Sequence, residues 1–391
     1  MLPSPQHSIL LSTQNHSLSV FVIWHSAISV GFSDAQNMLF DLLLLAVFPY
    51  MAGKALIEPA GLRAPFARRF VWLLFVVSMI SIYEFRMGVS LFRPLIDPFF
   101  PNQDSGWVTQ IRWGFGRIAG PYGHAILMGA ILAIAYLLCR WLSHTDLWER
   151  QFKGIGSALP FTKSQILTFG LLLGMFMTLS RGPWLGAACG VVLAAIGTNT
   201  DRRRGLRRAA LILVGGGLLL YTAGKAYIDG AGPADAVEEQ ASAAYRAVLL
   251  DQYNDIAMQQ PVWGWGRANW PQVPGMKSID NNYLFIALGS GLVGTALFAI
   301  MLAVASWRLF ASGFFVENLD PAERAFRFTM MGIVVSTAVS LGTVFLGSQL
   351  YPLLFLLLGW GEACILVKPE PSDVRSVEPA TTGFEFIKVV A

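Results

Sequence analysis

Long apolar runs separated by shorter polar segments dominate the chain. A helix needs about 20 residues to cross the apolar interior of a membrane, and nine runs are suited to this task. They lie at residues 38–57, 69–84, 121–141, 165–180, 182–199, 208–228, 282–307, 327–347 and 349–367. A tenth apolar run, at 17–32, is shorter and contains His25. The pattern therefore predicts an all-α bundle of nine or ten membrane-spanning helices.

Polar segments divide this predicted bundle into parts. The parts are an N-terminal segment with the tenth run (1–37), transmembrane helices (38–228) that enclose an outer loop (85–120), a large outer loop (229–281), C-terminal transmembrane helices (282–367) and a tail (368–391). Within the large loop, residues 236–260 place apolar side chains at helical spacing, and Pro261 ends the pattern. We therefore expect an amphipathic helix in the large outer loop.

Composition supports the membrane interpretation and excludes other classes. Of the 391 residues, 54% are hydrophobic and 13% are charged, whereas about 25% are charged in ordinary soluble domains. The 27 Phe and 12 Trp residues give too much apolar surface for a disordered chain. The 3 cysteines lie singly within apolar runs, so neither a disulfide framework nor a zinc site is indicated.

Positive charge is distributed unequally between the two sides of the predicted bundle. Alternating loops place 19 Lys and Arg residues on one side and 9 on the other. Because cytoplasmic loops retain positive charge, the richer side and the C-terminus should be cytoplasmic, with the two large loops facing the periplasm or the cell exterior. The basic cluster at 201–208 lies between two spans, so topology and anionic lipid explain it better than nucleic acid.

Four arginines lie in or beside the predicted outer loops, where charge at membrane level is costly. Arg117 and His124 precede one span, Arg181 lies in a short turn between two spans, Arg246 lies in the predicted loop helix, and Arg267 follows it. Guanidinium groups bind phosphate through paired hydrogen bonds. Structural alternatives remain open, because a helix-end arginine can anchor at the lipid surface and a loop arginine can pair with a neighbouring acid.

A further polar group stands where the span at 282–307 begins. Asp280 is either a helix N-cap or a general base, and a helix starting at Asn281 would present free N–H groups to an anion. Before this group, the segment 261–270 holds three Trp residues, which could stack on sugar rings but are better interpreted as anchors at the lipid headgroups. Asp251 and Asp255 lie four residues apart on the predicted loop helix, which favours a solvated face.

Taken in order, four motifs resemble the O-antigen ligase and exopolysaccharide polymerase family of bacterial membrane proteins, over residues 49–362. The motifs are GRIAGPYGHAIL, LSRGPWLG, YRAVLLDQYNDIAMQQPVWGWG and IDNNYLFIALGSGLVG. By this resemblance, Arg181 matches an arginine at the outer end of a span and Arg246 the arginine of the loop helix. Asp280 stands where ligases commonly have His. The IDNNYL sequence looks more like the exopolysaccharide branch, which favours a polymerase over a ligase.

The resemblance implies a metal-independent, inverting glycosyltransferase of the bacterial inner membrane that uses undecaprenyl diphosphate-linked oligosaccharide. Its expected partners are an acceptor glycan or glycolipid, membrane lipid, and export and chain-length proteins, with no cofactor and no nucleic acid. The predicted catalytic residues are Arg181, Arg246 and Asp280, and the predicted substrate-binding residues are Arg117, His124, Arg267, Asn281 and Tyr283. Three alternatives stay open: a ligase acting on a lipid-anchored acceptor, a polysaccharide transporter or flippase, and a non-catalytic assembly component.

Overall fold

Helices account for nearly all regular structure in the described part of the chain. A computed structural model describes residues 32–96, 98–99, 109–148, 162–229, 238–266, 269–276, 279–345 and 347–366. Its helices are α1 (Phe32–Leu42, continued by π-helical Leu43–Val47, α-helical Phe48–Ala52 and π-helical Gly53–Ile57), α2 (Arg63–Met87), α3 (Arg93–Ile96), α4 (Ala125–His144), α5 (Lys163–Met177), α6 (Arg181–Thr198), α7 (Arg202–Asp229), α8 (Glu238–Gln259), α9 (Asn282–Phe314), α10 (Pro321–Leu341) and α11 (Gly347–Leu366).

A short antiparallel hairpin lies between α3 and α4. Its strands are β1 (Ile111–Arg112) and β2 (Phe115–Gly116), with Ile111 opposite Gly116 and Arg112 opposite Phe115. Trp113 and Gly114 form the turn, and both have positive φ. Such a two-residue turn matches the natural twist of a hairpin and fixes the direction in which the neighbouring side chains point.

Each of the nine predicted runs falls on a helix. Within the described residues, six helical segments are long and apolar enough to cross a membrane: Leu39–Ile57, Arg63–Met87, Ala125–His144, Arg202–Ala223, Asn282–Phe314 and Gln349–Leu366. The remaining runs form α5, which is apolar but has only 15 residues, and α6 and α10. Most of the tenth run lies outside the described residues. The chain is an all-α, multi-pass membrane protein.

Several helix ends differ from the predicted runs because local contacts decide them. α4 begins at Ala125 rather than 121, since the extended backbone and side chain of His124 form its N-cap. α5 ends at Met177 rather than 180, since Leu179 has a φ of 48°. α7 includes most of the basic cluster, because Asp201 accepts hydrogen bonds from two backbone N–H groups at its start.

α4 is the centre of the bundle and α7 lies at its periphery. In α4, 89% of the apolar segment is buried, against 6% in α7. α4 packs against α2, α5, α6 and α10. α6 and α10 approach backbone to backbone, since a Cβ on Gly332 would lie 2.5 Å from the Gly190 carbonyl oxygen. Close approach through small residues is a common way for membrane helices to associate without a hydrophobic driving force.

Two hydrophobic cores are present. The larger one joins side chains from α1, α2, α4, α5, α6, α9, α10 and α11. The smaller one joins α8 to the first turns of α9, and its buried members are Leu249, Tyr253, Ala257, Trp270, Leu284 and Leu288. α8 is therefore held mainly by α9 and the segment between them, and not by the centre of the bundle.

The end of the bundle at which α4, α6, α9 and α11 begin is called the loop end here. Its connections are tied together by hydrogen bonds: the backbone N–H of Ile118 donates to the Met177 carbonyl (3.2 Å) and that of Gly123 to the Gln349 side chain (2.9 Å). The hairpin, α8 and the segment after α8 all lie at this end. It is here that most of the predicted site residues are found.

The opposite end of the bundle contains two buried charge clusters. In the first, Arg63 pairs with Glu58 (2.7 Å) and Glu323, and Arg327 also pairs with Glu323 (3.3 Å). In the second, Glu362 pairs with Lys54 (3.5 Å) and Arg308 (3.2 Å) and accepts a hydrogen bond from Tyr50. These contacts satisfy charges that would otherwise be costly at membrane level, including that of Glu362.

Candidate functional site

A buried carboxylate at the end of α2 holds the hairpin loop. Glu84 is 1% exposed; it accepts a hydrogen bond from the Gly120 backbone N–H (2.9 Å) and another from the Thr109 hydroxyl (3.1 Å). Gly116 lies so close to α2 that a Cβ there would be 2.5 Å from the Glu84 carbonyl oxygen. Both ends of the loop are therefore anchored to one side chain, which sequence analysis placed inside an apolar run and did not single out.

Arg117 is buried and bonded to the connection between α5 and α6. Its Nε donates to the Thr178 carbonyl (3.1 Å), its Nη2 to the Ser180 hydroxyl (2.8 Å) and its Nη1 to the Gln110 side chain. Sequence analysis predicted a substrate-binding role for Arg117. In the structure, three of its nitrogen atoms donate to protein acceptors, so it shapes the turn that precedes Arg181.

The hairpin contributes a second arginine to the same turn. Arg112 Nη1 donates to the Leu179 carbonyl (2.9 Å). Leu179 occupies the left-handed region, with a φ of 48°, which costs energy for a branched side chain. The two arginines thus contact all three residues between α5 and α6, and the next residue is Arg181, the exposed first residue of α6. Sequence analysis missed Arg112 because its partner is far away in the chain.

Three predicted site residues, Arg117, Arg246 and Asp280, share one electrostatic environment with Arg112 at the loop end. Burial lowers the pKa of Arg117 to about 10; the charges of Arg112 and Arg246 act in the same direction and that of Asp280 opposes them. Arg117 therefore remains cationic near neutral pH. These charges act on Arg117 from the hairpin, from α8 and from the residue before the α9 N-cap, although Arg112 and Asp280 are 168 positions apart in the sequence.

His124 lies in the same environment and caps α4. Its Nδ1 accepts a hydrogen bond from the Ile126 backbone N–H (3.2 Å). Burial lowers the pKa of His124, and the charge of Arg117 lowers it further, while Asp280 opposes the shift. The imidazole is therefore neutral near pH 7, and because Nδ1 accepts, its proton is on Nε2. His124 can donate one hydrogen bond from this nitrogen.

α8 positions Arg246, whose side chain is half-buried. The helix packs on α9 through Leu249, Tyr253 and Ala257, which recur every four residues. The Tyr253 hydroxyl donates to the Met276 carbonyl (2.8 Å) and so holds the connecting segment. A helix in this loop was predicted correctly, but not every apolar residue at helical spacing in 236–260 is buried, since Val248 remains 45% exposed.

α9 is broken at Gly291, which has a φ of 66° and a ψ of −170°. The segment 261–266 replaces the lost helical hydrogen bonds: the Leu292 N–H donates to the Pro261 carbonyl (2.7 Å) and the Trp265 N–H to the Leu288 carbonyl (2.8 Å). The two backbones touch, because a Cβ on Gly264 would lie 2.5 Å from the Gly291 nitrogen. Sequence analysis did not predict this break, although the repeated glycines in 264–266 and 289–291 were a usable signal.

The same segment changes the interpretation of three Trp residues. Trp270 is 6% exposed and packs edge-on against Phe285, with ring centroids 5.4 Å apart. Trp265 donates from Nε1 to the Ile256 carbonyl (2.9 Å). Only Trp263, 47% exposed, has the exposure expected of a membrane-surface anchor. The predicted anchoring role was therefore wrong for Trp265 and Trp270, which build the small core.

The start of α9 resolves one alternative for Asp280. The N-cap is Asn281, whose side chain accepts from the Tyr283 N–H (3.0 Å) and the Leu284 N–H (3.2 Å). Asp280 is thus not the N-cap. The expectation that this helix presents free N–H groups to an anion was wrong for the N–H groups of Tyr283 and Leu284, which donate to Asn281. Tyr283 donates its hydroxyl proton to the Ala338 carbonyl (2.8 Å), a contact that joins α9 to α10. Arg267 lies outside the described residues.

The arrangement concentrates cations rather than metal ligands. Among the described residues, no three His, Cys, Asp or Glu side chains are grouped so that they could hold a metal ion. At the loop end, the positive charges of Arg112 and Arg246 and the negative charge of Asp280 act on Arg117. Such a grouping of arginines suits a ligand that carries both a negatively charged group and hydroxyl groups.

The fold and this charged site define a multi-pass, all-α membrane protein whose polar chemistry lies at one end of the bundle. Residues 166–299 match the family model described as O-antigen ligase, which supports a relationship to the O-antigen ligase-like family. The matched region runs from α5 into α9 and includes Arg181, Arg246 and Asp280, whereas Arg117 and His124 precede it. A search of curated proteins finds no match to the chain.

Proposed function

We propose that this protein is a membrane glycosyltransferase that transfers or polymerises glycan from an undecaprenyl diphosphate-linked oligosaccharide. One observation carries the proposal: the hairpin loop, α8 and the start of α9 bring Arg117, Arg246 and Asp280 together beside the turn that holds Arg181. Displacement of a diphosphate from a sugar develops negative charge on the leaving group. Fixed guanidinium groups stabilise that charge, and here they would do so without a metal ion.

In the proposed mechanism, Arg181 and Arg246 bind the diphosphate. Arg181 begins α6 directly after the turn bonded by Arg112 and Arg117, so its backbone is held in place before substrate arrives. Arg246 is carried by a helix whose packing on α9 is buried and independent of that turn. Binding from two separate elements would orient the anomeric carbon toward the acceptor.

Asp280 is the proposed base. The acceptor hydroxyl oxygen forms a bond to the anomeric carbon, the bond from that carbon to the diphosphate oxygen breaks, and the hydroxyl proton moves to the Asp280 carboxylate. A single displacement of this kind inverts the anomeric configuration. The capping of α9 by Asn281 supports the role, because the carboxylate of Asp280 is not required as the N-cap. The neutral His124 would donate from Nε2 to a sugar or phosphate oxygen.

The proposed location is the bacterial inner membrane, with the loop end facing the periplasm and the C-terminus in the cytoplasm. The basic residues at the start of α7 lie at the opposite end, as the charge rule for cytoplasmic loops requires. The IDNNYL motif favours a polymerase over a ligase that uses a lipid-anchored acceptor. A polymerase would work with export and chain-length proteins of the same assembly route.

The first test is glycan transfer by purified protein in nanodiscs, with synthetic undecaprenyl diphosphate oligosaccharide and a chelator. Arg181→Ala and Arg246→Ala should each lower the rate by about 100-fold, the effect typical of removing one group that stabilises developing charge. Arg86→Ala is the matched control, because Arg86 is an exposed arginine at the same end of the bundle. Transfer at the wild-type rate by both site variants would disprove the diphosphate-binding role.

Product size distinguishes the two branches of the proposal. A ladder of repeats would identify a polymerase, and a single addition to a supplied lipid acceptor would identify a ligase. A transporter is the second candidate, favoured by the break in α9, since interrupted helices commonly line transport sites. It would give no product in this assay but would move the lipid-linked oligosaccharide across proteoliposome membranes.

A further inference from the structure

An open groove of about 400 Å³ lies between α8 and the first turn of α9. Its lining residues are Ala247, Leu250, Asp251, Asn254 and Leu284. The four from α8 follow the spacing i, i+3, i+4 and i+7, so they form one continuous face of that helix. The volume lies within the range of binding sites for small molecules.

The groove begins beside the charged site. Arg246 precedes Ala247 and lies one helical turn before Leu250, and Asp280 directly precedes Asn281, the N-cap of the helix that carries Leu284. A ligand whose diphosphate is bound at Arg246 would therefore extend along α8 into the groove. The walls are also well supported, because Leu249 and Tyr253, on the adjoining face of α8, are buried in the small core.

The lining chemistry indicates what the groove binds. Asp251 and Asn254 together offer carboxylate and amide oxygens and one amide nitrogen, all suited to sugar hydroxyls. Leu250 and Leu284 provide an apolar surface for the C–H face of a sugar ring. Among the residues that the structure describes, the groove lining includes one carboxylate and no cationic side chain, so it disfavours a diphosphate, which suits the arginines beside it.

We propose that this groove binds the uncharged sugar residues of the glycan, with Asp251 accepting hydrogen bonds from sugar hydroxyls and Asn254 both donating to and accepting from them. The inference rests on the proposed function and adds a substrate subsite to it. Asp251 is exposed, as predicted for a solvated helix face, and it lines this open groove together with Leu284 of α9. The glycan could belong to the donor or the acceptor, since both present the same chemistry.

The test uses full-length protein in nanodiscs and, as probe, the oligosaccharide released by mild acid from the synthetic donor, which lacks lipid and diphosphate. Saturation-transfer NMR measures its binding. The double variant Asp251→Ala/Asn254→Ala should weaken binding about tenfold, as the loss of two net hydrogen bonds predicts. Asp255→Ala is the matched control, an exposed acid on the same helix that does not line the groove. It should bind like the wild type.

Steady-state transfer then assigns the source of the glycan. In the double variant, a rise in KM for the acceptor alone marks an acceptor subsite, and a rise in KM for the donor alone marks a donor subsite. Equal binding by the wild type and the double variant, or no saturable binding by the wild type, overturns the inference. Failure of the proposed function would be seen separately, as wild-type transfer by Arg246→Ala. This variant should instead lower transfer about 100-fold while binding the uncharged probe as the wild type does.

Discussion

At the scale of single residues, the turn between α5 and α6 shows how side chains distant in sequence set the backbone before Arg181. A leucine in the left-handed region costs about 1–2 kcal/mol relative to ordinary helical geometry. The hydrogen bond from Arg112 to the Leu179 carbonyl and those from Arg117 to the flanking residues offset this cost. The turn is therefore maintained by the hairpin and not by its own sequence.

This arrangement predicts that a second substitution, Leu179→Gly, restores activity lost through the substitution Arg112→Ala. Arg112→Ala should lower kcat for transfer about tenfold with KM nearly unchanged, because Leu179 relaxes and Arg181 moves away from the reacting diphosphate. Adding Leu179→Gly should restore most of the activity, because glycine adopts positive φ without steric cost. Transfer kinetics of the single and double variants measure both effects.

The control for that prediction is Leu179→Gly alone, which should transfer at close to the wild-type rate. A double variant no more active than Arg112→Ala would contradict the proposed link between the hydrogen bond and the backbone conformation. So would wild-type kcat in Arg112→Ala. Thermal unfolding of each variant separates a change in position from a general loss of folding.

Sequence motifs were sufficient to select Arg117, His124, Arg246 and Asp280, which the structure brings into one electrostatic environment. They could not show that Arg117 is bonded to the turn, or that Glu84 anchors its loop, because both partnerships depend on how distant helices pack. Periodicity reports which face of a helix is apolar. It does not report which polar group will meet another across the bundle.

At the scale of secondary structure elements, the break in α9 is the feature on which α8 depends. Gly291→Ala should destabilise the protein by about 1–3 kcal/mol, because alanine resists this φ and its Cβ would collide with the Val262 carbonyl. The midpoint of thermal unfolding in detergent measures the loss. Gly216→Ala is the matched control, since a Cβ at this position in α7 meets nothing within 4 Å.

The control substitution should leave the unfolding midpoint unchanged or raise it, because alanine is favoured over glycine inside a helix by about 0.5–1 kcal/mol. Equal shifts for the two glycines would show that the break is not required.

The runs predicted from sequence became helices because length and hydrophobicity determine them locally. Their ends and the break were missed because caps, left-handed residues and a neighbouring backbone determine those.

At the scale of the whole molecule, the buried cluster of Glu58, Arg63, Glu323 and Arg327 joins α2 and α10 to the turn after α1. Glu323→Ala should lower the free energy of unfolding by about 3–5 kcal/mol, because it leaves two buried arginines short of a partner. Denaturant unfolding in detergent gives the measurement. Glu317→Ala removes an exposed acid from the preceding loop and should have little effect.

A loss no greater for Glu323→Ala than for Glu317→Ala would mean that the cluster does not hold the helices together. Because the cluster lies at the end of the bundle opposite the proposed site, the Glu323 variant should retain its KM for donor whenever it is folded. Substitutions at this end of the bundle should therefore change stability without changing substrate binding at the other end.

The small core around α8 has a mechanical consequence. The first turns of α9 are packed on α8 and hydrogen-bonded to the segment 261–266, whereas the rest of α9 belongs to the main core beyond Gly291. Arg246 and Asp280 thus lie on elements that share the small core, Arg181 begins a helix of the main core, and the hydrogen bond from Tyr283 to Ala338 joins the two cores. A diphosphate bound by both arginines, as proposed, would add a second connection between the two cores, so that the substrate would stabilise the same packing that forms its site.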